Sequence, residues 1–441
     1  MRRLTLTTAL LTVGLVHAVA AAENPVDLRE LAVSAVRTNE MVGRADSDVR
    51  RAEARVRLAR SVLLPSLELN GSTTWYQDEA VLQLSPDESF VLRPRNDWNW
   101  SADLSQVLFS GLRDWRARDV ALLERDIALL RRHTAANDLV LEVAASFLEA
   151  VATDQQVEVA RVTLEQIDAQ LKVAERRFEV GETAAADVAR WRSEHAAARQ
   201  RMIVAEGSAE LARRRLERLT GVRPIDALRP LGPVPPPPGD DDALLGAAYD
   251  TRLEMATLEH QLETAGLWIK IEKGSWFPQI DAHAQYFQQK AEFPASDWTS
   301  IALTARVPIY DGGLTAARVA EATEDLRQVE LLGVEVTKRI ADQVQAAAIR
   351  HRSAVAAYDA ARERQTAARE ANRQVENAYR VGEASATDLL ATTAELTDAE
   401  NAVIIARAQR EYQAIALRHA VGLPPLPDLD PLEIVNETVE E

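Results

Sequence analysis

Cysteine is absent from all 441 residues. That excludes a disulfide framework and a lipid anchor on an N-terminal cysteine, and with only four Met nothing suggests soft-metal handling. Beyond residue 22 there is no run of about 18 apolar residues, the length a bilayer-spanning helix requires, so any membrane crossing has to be β. Basic charge is in deficit, with a net charge of −17, and an acidic chain repels phosphate, so nucleic acid is a poor partner. Catalytic signatures are missing too. The seven histidines are scattered, and HExxH, GxxxxGK[ST] and GxSxG do not occur, so neither an enzyme nor a cofactor is implied.

What is present is written twice. Phe178 to Pro224 aligns on Tyr379 to Pro425 without a gap at a constant offset of 201 residues, and Val180, Gly181, Glu182, Asp187, Gly221 and Pro224 recur as Val381, Gly382, Glu383, Asp388, Gly422 and Pro425. An internal duplication is the economical explanation. Residues 1–22 have the charged start, apolar run and small-residue end of a secretory signal peptide. Removing Arg2 and Arg3 with it takes the net charge from −17 to −19. The domain reading is a first repeat over 23–223, a Pro-rich linker over 224–242, a second repeat over 243–423 and an acidic tail over 424–441. The run Pro235 to Pro238 makes the linker an extended spacer between halves.

Each repeat has the same parts. Leu28 to Val62 lacks proline and reads as one helix of about nine turns, stopped by Pro65. Period-two alternation follows, with Leu67, Leu69, Gly71, Thr73 and Trp75 on one face and Ser66, Glu68, Asn70, Ser72 and Thr74 on the other. A polar, Pro-broken loop from Gln77 to Asn96 leads to a second alternating stretch, Trp98 to Ser105. The second half repeats the pattern over Gln279 to Tyr286 and Ser300 to Val307. Strands of about ten residues with one apolar face have the length and pattern of transmembrane β-strands. Trp75, Trp98, Trp100, Trp276 and Trp298 lie in or beside them, as at a bilayer surface. A small soluble sheet packed on a helix is the competing reading.

Proline-free helical stretches follow, Leu112 to Glu179 and Leu314 to Arg380. In the second, Val336, Ile340, Val344, Ala347 and Ala354 lie on a heptad seam, and about 68 residues at 1.5 Å each reach about 100 Å. Both end at Val-Gly-Glu, where glycine suits a left-handed C-cap, and Ser385 with Asp388 resembles a capping box. Half-length helices return over Ala184 to Thr220 and Ala386 to Val421. The fold class is mainly α with a β-barrel portion. Four strands in lipid would leave two unpaired edges and fall short of the smallest barrel, so several copies must share one barrel in a symmetric ring.

At this point the chain resembles the TolC family of outer-membrane efflux proteins. The resemblance rests on Phe178-x-Val180-Gly181-x5-Asp187, Tyr379-x-Val381-Gly382-x5-Asp388 and the turns Phe109-Ser110-Gly111 and Tyr310-Asp311-Gly312. It implies a homotrimer in outer-membrane lipid, with a 12-stranded barrel over a periplasmic tunnel of 12 antiparallel coiled-coil helices. It also implies a periplasmic adaptor protein and an inner-membrane transporter of the resistance-nodulation-division or ABC type as partners. Such a channel serves a tripartite efflux pump or type I secretion. Val180, Gly181, Glu182, Val381, Gly382 and Glu383 then mark the adaptor-docking tips. Asp187, Tyr379 and Asp388 mark the periplasmic constriction, with Tyr379 bonded to Asp187. The family's arginine lock and second carboxylate are replaced by Ala384 and Ala391.

Each of these sites has a plainer explanation: first-turn acids favoured by the helix dipole, a seam aromatic, a simple helical hairpin. The competing function is a periplasmic coiled-coil adaptor or structural protein without a pore, which would carry one hairpin rather than two. The acidic balance suggests that cations are preferred.

Overall fold

The computed structural model describes residues 25–441 apart from 87, 292–294, 428, 432–433 and 435–441; the expected signal peptide and most of the tail lie outside these. The first repeat runs α1 Leu28–Thr38, α2 Glu40–Ser61, β1 Ser66–Trp75, β2 Ala80–Ser85, β3 Glu88–Arg93, β4 Asn96–Phe109, α3 Arg113–Glu179 and α4 Ala185–Thr220. The second runs α5 Asp241–Thr251, α6 Leu253–Gly274, β5 Gln279–Gln289, β6 Asp297–Arg306, α7 Leu314–Val381 and α8 Ala386–Val421.

The two long helices, 67 and 68 residues, form where the seam and the lack of proline require them. Seam residues Val336, Ile340, Val344, Ala347 and Ala354 are buried. α3 packs on α2 and α6 nearer the strands and on α4 and α8 farther away, so the short helices stack along the long ones. At mid-length Leu31, Val140, Phe147, Leu216 and Ile415 form the largest core, while Leu244, Ile340, Val344 and Val421 repeat it in the second half.

Three expectations are corrected. The single helix over Leu28 to Val62 breaks at Asn39, whose backbone is extended (φ −77°, ψ 137°) and whose side chain caps α2 by accepting from Met41 N. Asn favours such local bonds over helix interior. The break also receives the end of α4: Asn39 Nδ2 donates to Leu219 O at 3.1 Å, and Thr38 Oγ1 donates to Thr220 O at 3.3 Å. Between α5 and α6 the same joint recurs. Thr251 Oγ1 donates to Val421 O at 2.6 Å and Arg252 Nη1 to Ala420 O at 3.2 Å. The carbonyls that a helix leaves unpaired in its last turn are thus satisfied by the other helix's interruption.

The Gln77 to Asn96 loop contains the hairpin β2–β3, with Leu82 opposite Phe90 and Val81 opposite Val91. Its short apolar runs pair once a turn at Pro86 brings them together. The Pro-rich segment is not a free spacer either. Ile225 and Val234 are buried in the main core, Val26 and Leu228 form an isolated parallel bridge through Val26 N to Ala227 O and Arg229 N to Val26 O, and Val234 N donates to the buried Glu411 Oε2 at 3.0 Å. Two buried carboxylates tie this strap down, since Glu217 Oε1 also accepts from Ile225 N at 3.2 Å.

Candidate functional site: the sheet and the hairpin tips

The sheet has order β1-β4-β5-β6, all antiparallel, with β1 and β6 as open edges. Register sorts its faces. Leu67 stands opposite Leu104, Leu69 opposite Ala102, Ala102 opposite Tyr286, and Ala284 opposite Ile301. This apolar face has no cover: Leu69 is 76% exposed, Ile301 84% and Leu303 69%. Burying one such side chain is worth about 1.5–3 kcal/mol, so an uncovered row of them calls for an apolar medium.

The other face is a web of polar bonds. Ser66 and Ser105 hydroxyls meet at 2.7 Å, Ser72 Oγ donates to Asn99 Oδ1 at 3.0 Å, and Asp103 accepts from Asn70, Ser101 and Gln285. Its charged members are Glu68, Asp97, Asp103 and Asp281 against Arg306.

Of the five tryptophans, Trp75 and Trp98 lie on the apolar face at the end away from the helices. Trp100 lies on the same face, its indole donating to Gln288 Oε1 at 2.9 Å and its ring 5.2 Å from Tyr286. Trp276 sits just before β5 at the opposite end, half exposed, alongside exposed Phe277 and Trp115. Trp298 is the exception. Register pairs it with Phe287, and Phe287 with Ser101, which puts it on the polar face. Its place in the alternation, two residues before Ser300, carries this information, but proximity to a strand end obscured it.

At the far end of the rods both tips are Schellman turns. Glu182 N donates to Arg177 O and Glu383 N to Ala378 O, each at 2.8 Å, with Gly181 at φ 79° and Gly382 at φ 86°. Val180 and Val381 are each 71% exposed, and Glu182 and Glu383 also face solvent. Asp388 completes the capping box, accepting from Ser385 N at 3.0 Å and Ser385 Oγ at 2.6 Å. These bonds, the hydroxyl first and the amide second, hold its carboxyl below the usual aspartate range. Asp187 is half buried and accepts from Thr183 Oγ1 at 3.1 Å.

The structure does not join Tyr379 to Asp187 by a hydrogen bond. The Tyr379 ring instead lies 6.3 Å from Trp191, with the Arg177 guanidinium 5.8 Å from its centre. Trp191 is 1% exposed and packs in a cluster with Ile167, Val188, Ala386 and Leu389, so it fastens one tip to the other. Arg190 also crosses between the tips to Thr387 Oγ1. Where Ala384 offers no arginine, two arginines of the first hairpin therefore reach the second. Sequence reasoning missed Trp191, Arg177 and Arg190. The available signal was a broken repeat: Trp191 aligns with Thr392 at the 201-residue offset.

The family profile of outer membrane efflux proteins matches residues 31–222 and again 244–423, one match for each repeat. The chain belongs to the outer membrane efflux protein family. Outer membrane efflux protein BepC of Brucella suis is 22% identical over 396 residues, covering 88% of this chain and 83% of its own length. Alkaline protease secretion protein AprF of Pseudomonas aeruginosa is 24% identical over 209 residues, 45% of this chain and 43% of AprF. The fold matches the Campylobacter jejuni CmeC outer membrane channel with a TM-score of 0.77 over 93% of this chain and 89% of that one, at 14% identity. As an outer membrane efflux protein, the chain is an outer-membrane channel of the efflux and secretion class, with helical tunnel and barrel strands. Among the described residues no helix is long and apolar enough to cross a membrane.

Proposed function

We propose that three copies of this outer membrane efflux protein close a 12-stranded barrel and continue it as a tunnel of helices below. The uncovered apolar face on a sheet with two open edges is the observation that carries this reading. In hydrocarbon each unpaired edge group costs several kcal/mol, and closure by further copies removes the cost. The polar faces then line a water-filled duct whose carboxylates favour cations. An inner-membrane transporter delivers cargo, and a periplasmic adaptor docks at the tips carrying Val180 to Glu182 and Val381 to Glu383. Asp187, Tyr379 and Asp388 lie at the constriction, and Trp191 holds the paired hairpins closed.

The test is detergent extraction followed by planar-bilayer recording. Trimers on unheated gels and discrete, cation-preferring conductance are the expected results. A monomer recovered from periplasmic extract without detergent overturns the reading in favour of a soluble coiled-coil protein.

A further inference from the structure

Two large rings occupy the polar face of the sheet, where hydroxyls, amides and carboxylates otherwise prevail. Phe287 and Trp298 stack with centroids 5.3 Å apart and planes 24° apart, on the last rung that β6 contributes to this face away from the helices, and Trp298 stays 38% exposed. The next rung toward the helices on this face runs Glu68, Asp103, Gln285 and Ser300. Same-face neighbours along a strand are two residues, or about 7 Å, apart. Asp103 is held there by donors from three strands: Ser101 Oγ at 2.6 Å, Asn70 Nδ2 at 3.0 Å and Gln285 Nε2 at 2.5 Å. A flat apolar surface thus stands one rung from a fixed carboxylate. Aromatic rings attract cations over their faces, and the carboxylate adds attraction of the same sign.

We propose that Phe287, Trp298 and Asp103 form a weak subsite on the duct wall, near its outer end, for flat aromatic ammonium cations. The inference rests on the polar face lining the duct. With its ring against the stacked pair, an ammonium one carbon away projects from β5 toward Asp103 on the neighbouring strand, and the carboxylate's attraction acts across the remaining gap. Each contact is small, as suits a wall that must release what passes.

The experiment is block of the reconstituted full chain in planar bilayers by benzyltrimethylammonium, tetramethylammonium and benzenesulfonate. The first should block at a concentration about tenfold lower than the second, the worth of one added ring contact of about 1.4 kcal/mol. Benzenesulfonate should not block. Phe287→Leu and Trp298→Leu should each raise the half-blocking benzyltrimethylammonium concentration about fivefold, with Trp298→Tyr restoring most of the effect. Asp103→Asn should weaken both cations, and Tyr286→Leu, on the lipid face, should change nothing. Where one Leu variant forms no channels, the other decides. Normal conductance with block unaltered by the Leu variants, or block more sensitive to Tyr286→Leu, overturns the subsite while leaving the duct intact. No conductance from the unaltered chain overturns the duct and the subsite together.

Discussion

Replacing Glu411 by Ala should loosen the Pro-rich strap at one identifiable amide. Glu411 is buried, with Oε2 accepting from Val234 N at 3.0 Å and Oε1 from Arg410. A hydrogen bond to a charged group contributes about 1.5–3 kcal/mol, and its loss strands a buried N–H. Arg410 keeps a second contact, its guanidinium 4.2 Å from the centre of the Tyr358 ring, so the damage centres on the strap. At about 1.4 kcal/mol per decade, exchange of the Val234 amide should quicken by about tenfold to 150-fold if exchange follows local opening. Val234 stands between Pro233 and Pro235 and is the only exchangeable amide from 233 to 238, so mass spectrometry of that peptide resolves it. The duplication supplies the control. Glu210 occupies the equivalent place 201 residues earlier, but it is exposed and only 3.7 Å from Arg214. Glu210→Ala should leave Val234 unchanged. Acceleration below threefold in Glu411→Ala, or equal effects of the two substitutions, refutes the strap argument.

Gly382→Ala should cost about 1 kcal/mol in tip stability, the penalty of a left-handed backbone, because no atom lies within 4 Å of the added Cβ. Gly221→Ala should cost more, since its Cβ would meet Thr38 Oγ1 at 2.9 Å; equal denaturation midpoints would contradict this. If the proposed barrel forms, Leu303→Arg on the apolar face should lower its stability in bilayers by about 2–4 kcal/mol and deplete the heat-sensitive oligomer on gels, whereas Ser300→Arg on the polar face should assemble and lower cation selectivity. Burial holds His133 and His351 below the ordinary histidine value, although Asp430 and Glu411 pull upward and Arg132, Arg352 and Arg410 downward. The unfolded chain therefore binds more protons. Their stabilising contribution is complete above about pH 6.5 and is lost as pH falls through the folded values. Urea midpoints should be lower at pH 5.5 than at 7.5, and the difference should shrink in the His133→Gln, His351→Gln double variant.

The long elements were legible because one period dominates each. No proline interrupts α3 or α7, seam residues recur every three or four positions, and both tips carry a glycine where the chain must turn left-handed. The strand faces followed from alternation for the same reason. Joints were not legible at Asn39 and Arg252, because the carbonyls those breaks receive are supplied from about 170–180 residues away. The strap was hidden because proline content describes backbone stiffness and says nothing of the buried glutamates that fasten it. At the tip, the motifs located the hairpins, but the packing that joins them comes from Trp191, a residue the second repeat lacks.

The two joints are not built alike. Around Asn39 the break is stitched to α4 alone, by the Ser34 and Thr38 hydroxyls and the Asn39 amide, while Arg252 reaches Ala420 O, Gln343 Oε1 at 2.7 Å and Glu254 at 2.6 Å, gripping α6, α7 and α8 together. Around the proposed threefold tube, joints tied to one neighbouring helix would alternate with joints tied to two. A sideways load applied at the lower rim would then flex the wall at three evenly spaced seams, and the shaft would deform toward a triangle rather than an oval.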